Sequence, residues 1–208
     1  MAQVRRRGRP RTGEAGDRRA AILRAAAAEF AETGYEGATM RAIAARAGVD
    51  SALLHHYFGT KADLFAEAVS FPMRPDREVP RLLEGPREHA GERVVRYVLT
   101  AWEDPHVRRR GIAVLRTAIG GRAGSAVLTG FLARELLARV ATAIGGDQAP
   151  LRASLVASQI VGVLVARYAV RIEPLASADV DELVAWLAPT VQRYLTGDAP
   201  APPAPPVE

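Results

Sequence analysis

Between Thr39 and Lys61 the chain reads TMRAIAARAGVDSALLHHYFGTK, and three helix starts are marked within about two dozen residues. Thr39 can N-cap a first helix whose apolar positions Ile43, Ala44 and Ala47 share one face at helical spacing. Gly48 ends that helix, Val49 supplies an apolar plug in the turn, and Asp50 can cap a second short helix. Leu54 and Phe58, four residues apart, anchor the second helix to a core and leave its opposite face for solvent or a ligand. After Gly59, Thr60 and Asp63 have capping-box spacing at the start of a third helix. The pattern is that of a helix-turn-helix followed at once by another helix, which makes DNA binding the leading function.

The charge distribution agrees. Residues 1–61 hold ten Arg and one Lys against six acids, a net +5, while the remaining residues hold 17 basic and 17 acidic groups. All of the net charge therefore lies in the segment with the helix-turn-helix, as expected for a polyanion partner. The chain has no cysteine, which excludes disulfides, thiol catalysis and Cys-ligated zinc. The basic N-terminus lacks the apolar run of a secretory signal. The most apolar run, Leu155–Ile172, is interrupted by Gln159, Arg167 and Arg171 and is read as too short and too polar to span a bilayer, so no membrane partner and a cytoplasmic location are expected.

The order of the residues above resembles the TetR (tetracycline-repressor-like) family of one-component bacterial transcription regulators, on Thr39, Ile43, Ala44, Ala47, Gly48, Val49, Asp50, Leu54, His55, Tyr57, Phe58, Lys61 and Leu64. The similarity covers about residues 17–71, with two departures: Asp50 replaces the usual Ser, and His55 stands where Tyr is common. The resemblance implies an all-α fold, in which a three-helix N-terminal DNA-binding domain is joined by a fourth helix to a larger helical ligand-binding and dimerisation domain. It implies a homodimer on palindromic double-stranded operator DNA in a bacterial nucleoid, released by a small-molecule effector, with no cofactor. His55 matches a base-contacting position and Arg41 one that reaches a guanine or a phosphate; Tyr57 and Lys61 match phosphate-contacting positions. Ser51 and Ala52 lie at the start of the second helix, where base edges come nearest, and Thr39 and His56 complete the expected DNA-facing set.

Along the chain, residues 1–16 read as a flexible basic arm, 17–71 as the DNA-binding domain, 72–196 as the effector and dimerisation domain, and 197–208 as a disordered Pro/Ala tail. Asp17–Thr33 carries an apolar stripe stopped by Gly34, and four prolines between Pro72 and Pro86 imply a loop or very short helical turns between the domains. Further helices are expected near 87–103, 105–119, 123–144, 148–172 and 179–196. In the arm, Arg6 precedes an Arg-Gly-Arg-Pro core formed by Arg7, Gly8, Arg9 and Pro10 that resembles an AT-hook; a phosphate-contacting tail is the competing reading. Ser154, Ser158, Gly162 and Ala166 form a ridge of small residues that lets another helix approach closely, either within the domain or across subunits. The resemblance favours the second and puts Val161 and Trp186 on the dimer helices.

Tyr97, Trp102, Arg116 and Phe131, apolar or aromatic residues and a polar companion on the middle helices, are the candidate effector-pocket residues; plain core packing is the alternative. The adjacent His55 and His56 raise a metal site, but consecutive helical residues point about 100° apart, so they do not chelate one ion, and no metal is expected. An enzyme is the rival class: no Gly-x-Ser-x-Gly elbow, Walker loop, His-Glu-x-x-His pair or dinucleotide fingerprint is present. A nucleic-acid-binding protein without sequence preference, using the basic arm alone, is the third reading.

Overall fold

The computed structural model describes residues 12–120, 122–146 and 148–198, and among these every regular element is helical. Arg6, Arg7 and Arg9 of the arm and the tail beyond Asp198 lie outside the described residues. The helices are α1 (Thr12–Gly37), α2 (Met40–Ala47), α3 (Ser51–Phe58), α4 (Lys61–Ala68), α5 (Pro75–Leu83), α6 (Ala90–Glu103), α7 (Pro105–Gly120), α8 (Arg122–Phe131), α9 (Ala138–Ile144), α10 (Ala149–Leu164) and α11 (Val180–Thr196). A π-helical stretch, Leu132–Leu137, joins α8 to α9, and another, Val165–Val170, prolongs α10.

Three details differ from the sequence reading. Helix α1 begins at Thr12, so the last residues of the expected arm are helical. Gly34 does break the helix, with φ 76° and ψ 171°, but a further turn carries α1 to Gly37. In the proline-rich segment, read as a loop or very short helical turns, the nine-residue helix α5 forms with Pro75 in its first turn, where the missing N–H has no intrahelical acceptor, and it holds Pro80 inside.

Two apolar cores organise these helices. The first gathers Ile22, Phe30 and Tyr35 of α1, Ile43 of α2, Leu54 and Phe58 of α3, and Leu64 and Phe65 of α4. It does not stop at the DNA-binding helices, because Val114 of α7 and Leu128 and Phe131 of α8 belong to it. Tyr35, only 2% exposed, stacks on Phe30 at 5.9 Å and meets Phe65 and Phe131 edge-on at 5.1 and 5.3 Å between ring centroids. Its hydroxyl donates to Glu135 Oε1 at 2.8 Å, and burial together with that carboxylate pushes the phenol well above its usual range.

The second core is built from α6, α9, α10 and α11 around Val95, Leu99, Val163, Val184 and Val191. Gly91 of α6 is its closest crossing: a Cβ there would lie 2.6 Å from both the Ala188 carbonyl oxygen and the Gln192 amide nitrogen. At the same crossing Gln192 Oε1 accepts from the Gly91 amide at 2.7 Å and its Nε2 donates to the Arg87 carbonyl at 2.8 Å, so α11 supplies the missing cap of α6.

At the other end of α6, Arg167 is buried and donates to the carbonyls of Leu175 and Ala178 at 2.7 and 2.8 Å and to Glu103 at 3.2 Å. Burial pushes the Glu103 carboxyl up, but hydrogen bonds from Tyr168 and Arg167 outweigh it and hold the group below its usual range.

The expectation that the apolar run near α10 is too short for a bilayer is corrected. The continuous helix Ala149–Val170 has 22 residues and a mean hydropathy of 1.6, enough by length and composition alone to cross one. It starts six residues before the run considered in the sequence, and its last turns are the π-helical stretch. One side of it packs on α11, while Leu151, Leu155 and Val161 stay exposed.

Because the atoms meeting a Cβ at Gly91 are backbone, they cannot swing aside. Gly91→Ala is therefore expected to lower stability by about 1–3 kcal/mol, read as a drop in the thermal midpoint. An unchanged midpoint would contradict the crossing.

Candidate nucleic-acid interface

The helix-turn-helix is fixed by its ends. Thr39 accepts from the Ala42 amide at 3.1 Å, and Asp50 accepts from the Ala52 amide at 2.6 Å. Between them Gly48 takes the left-handed conformation, φ 67° and ψ 32°, and the Val49 amide reaches back to the Ala44 carbonyl at 3.0 Å. Thr60 and Asp63 form the reciprocal capping box at 3.1 and 3.3 Å, and the Arg74 guanidinium pairs with the same buried Asp63. Helix α2 is tied to α1 by Arg46, which meets Glu29 at 3.1 Å and Glu32 at 2.7 Å.

With Leu54 and Phe58 turned into the first core, α3 presents Ala52, His55 and His56 to solvent, with Ser51 half-buried at its start. Thr39 and Arg41 are exposed on the adjoining start of α2, and the Arg41 guanidinium has no hydrogen-bond or ion-pair partner among the described residues. The His55 ring is held: Nδ1 lies 2.8 Å from the Gly59 carbonyl, which only accepts, so Nδ1 carries the proton and Nε2 faces outward. Tyr57 is half-buried, its ring 5.8 Å from that of His56 and 6.2 Å from that of Phe58.

Lys61, the expected phosphate contact, meets protein carbonyls in the free chain. Its ammonium donates to the carbonyls of Tyr35, Ala38 and Glu36 at 2.9, 3.1 and 3.4 Å and lies 4.7 Å from the centre of the Tyr35 ring. All three N–H donors are engaged with the end of α1, so the residue acts here as a C-terminal cap. No spacing in the sequence signals this, because the carbonyls belong to a turn that the chain forms only after Gly34.

The four candidate effector-pocket residues do not come together. Phe131 lies in the first core, Arg116 is exposed on α7, and Trp102 is buried against Tyr168 at 5.5 Å and against Gly111. Tyr97 is half-buried beside α5, where burial and the neighbouring Glu78 push its hydroxyl up to about 12. Helical spacing marked these side chains as inward-facing without saying which neighbour each inward face meets. A cavity of about 130 Å³ lies elsewhere in the domain, between α5, α6, the Leu132–Leu137 stretch and α10. Val79, Leu83, Val98, Leu137, Val156 and Ile160 are among its walls, and every lining residue is apolar.

The fold and this face define a helix-turn-helix regulator with an all-helical second domain. Residues 22–68 match the family described as bacterial regulatory proteins, tetR family, and residues 88–195 match the tetracyclin repressor-like C-terminal domain. A TetR-family regulator of Streptomyces coelicolor, SCO0857, has a crystal structure 39% identical in sequence; the match covers 90% of this chain and 99% of that one, with a TM-score of 0.50. The HTH-type transcriptional repressor SCO4008 of the same organism is 40% identical over 67 residues, 28% of this chain and 35% of that protein. The HTH-type transcriptional regulator BetI of Agrobacterium fabrum is 40% identical over 83 residues, 38% of this chain and 40% of that protein. The matched segment thus spans well under half the length of these two curated relatives. The chain belongs to the TetR family, and it is a transcriptional regulator of that family.

Replacing Lys61 by Met removes the cap while keeping the apolar stem. Stability is expected to fall by about 1–3 kcal/mol in chemical denaturation, since each uncapped carbonyl in that turn loses a charge-assisted partner. Unaltered stability with uniformly weaker DNA binding would instead restore the phosphate role.

Proposed function

We propose that the protein is a homodimeric repressor that binds an inverted-repeat operator through α3 and the start of α2, and leaves it when an apolar small molecule occupies the cavity beside α5 and α10. The observation that carries the reading is the outward face of α3 with its neighbour Arg41: exposed Ala52, His55 and His56 and an unpaired guanidinium, on helices whose caps and core fix their direction. Such a helix enters the major groove, where Arg41 is suited to a guanine edge and the outward Nε2 of His55 accepts from a base amine. Thr39, Ser51 and Tyr57 lie at positions that hold the backbone. Lys61 fixes the end of α1 against the start of α4 and, as the resemblance implies, can turn its ammonium to a phosphate when DNA is bound.

One helix-turn-helix reads too few base pairs for useful specificity, and a second copy supplies the rest. The face offered to that copy runs along α10 and α11. Trp186 is 76% exposed, and Leu151, Leu155 and Val161 also face outward. Ser154, Ser158 and Gly162 lie exposed along the same helix as a low ridge, and a Cβ at Gly162 would meet nothing within 4 Å. Ala166, next in the ridge, is half-buried in the π-helical stretch. A large apolar surface of this kind is unfavourable in water and favours burial in a partner. An operator-bound dimer acts in the cytoplasm, and the reading needs neither cofactor nor catalysis.

Release follows from the position of the cavity. Val156 and Ile160 of α10 line it, and Val161 belongs both to its wall and to the exposed face, so a ligand there touches the helix that sets the spacing of two recognition helices.

Gly162→Trp places a bulky ring on the ridge and is expected to convert the dimer to a monomer in sedimentation, with unchanged helix content and a thermal midpoint lowered by the lost association. Arg41→Ala in the intact dimer is expected to relax preference at one base of each half-site by about 1–3 kcal/mol. A monomer that binds its operator at full affinity, or an Arg41→Ala variant with unchanged base preference, would overturn the respective part.

A further inference from the structure

A second cavity lies on the seam between the DNA-binding helices and the rest of the chain. Its volume is about 180 Å³, and α1, α4, α7 and α8 all contribute to its wall. Phe30 and Phe65 line it from the DNA-binding side, and Val114, Val127 and Leu128 from the other. The space exists because α1 places the small Ala27 and Ala31 beside Phe30 on this stretch, where longer side chains would fill it. Thr117 is the one polar lining residue; its hydroxyl donates to the Ala113 carbonyl at 3.0 Å, so its oxygen still has capacity to accept.

We propose that this seam cavity binds a small neutral molecule of one-ring size, largely apolar and carrying a single O–H or N–H donor directed at Thr117. The size excludes a macromolecule: a helix with its side chains is about 10 Å across, whereas an apolar space of about 150 Å³ matches a benzene-sized guest, which would enter past the exposed rim of Ala27, Ala31 and Thr117. The walls disfavour an ion, because a carboxylate or ammonium seated against them would give up part of its water and gain no countercharge from the lining residues. The guest would touch helices of the first core on both sides of the seam, and so would brace α1 and α4 against α7 and α8. The site shares no lining residue with the cavity beside α5 and α10. It does not depend on the operator reading, because its occupancy is measured on the free protein.

Phenol, benzene and benzoate are the probes, and methyl chemical shifts of the full-length chain are the readout. Phenol and benzene are expected to shift the methyls of Val114, Val127 and Leu128 in a saturable way, and benzoate is expected to leave them unmoved. Val127→Phe fills the cavity and is expected to weaken phenol binding at least about tenfold, equivalent to 1.4 kcal/mol or more. Thr117→Val is expected to weaken phenol about three- to tenfold and to leave benzene unaffected. If Val127→Phe does not fold, Ala31→Leu narrows the same space from an exposed position and is expected to weaken phenol as well. Ala157→Phe, in the other cavity, is expected to leave the seam methyl shifts intact. No saturable shift at the three residues, equal binding of benzoate, or undiminished phenol binding after filling would overturn the proposal.

Discussion

The end of α1 is the joint on which the rest of the structure depends. A helix that stops leaves carbonyl oxygens without partners, and here the turn after Gly34 leaves them beside the start of α4. Lys61, the first residue of α4, meets three of these oxygens, and its ammonium rests over the Tyr35 ring. The same ring is the centre of the cluster that joins α1 to Phe65 of α4 and Phe131 of α8. One buried tyrosine and one partly buried lysine therefore set where α4 starts, and with it the direction of α3, which ends two residues before α4 begins.

That joint also makes the DNA-binding helices continuous with the second domain. Val114, Leu128 and Phe131 lie in the same core as Ile43 and Leu54, and ion pairing between Arg134 and Glu36 at 3.0 Å adds a surface tie. Packed interiors transmit displacement instead of absorbing it. A shift of α8 must therefore be met by α1 and α4. Helix α4 itself is only two turns long, so the connection runs through side-chain packing on α1 and α8 as much as through the chain. Both cavities lie where such a shift begins, one against α8 and the other against the stretch that follows it.

The parts legible in the sequence are those whose signals are local. Thr39, Gly48, Asp50, Thr60 and Asp63 mark helix ends through contacts within three or four residues, and each takes the predicted cap. The exposed side of α3 followed from the inward pair Leu54 and Phe58, because helical spacing determines a face once two buried positions are known. What was not legible depends on partners far along the chain. Phe131 has the spacing of an effector-domain residue, yet its neighbours are some 60 to 100 residues away, on α1 and α4. Lys61 has the position of a phosphate contact, but its acceptors are 23 to 26 residues earlier. The cavity beside α5 was missed because prolines that usually break helices here begin one and sit inside it.

The central claim is that two copies of the α3 face read a symmetric DNA sequence. Selection of bound duplexes from a random pool by the full-length protein tests it most directly. The predicted outcome is one enriched inverted repeat whose half-sites are centred about 34–36 Å apart, the separation that a two-fold dimer presents. Recovery of a single unrepeated element, or of no preferred sequence at all, would contradict it.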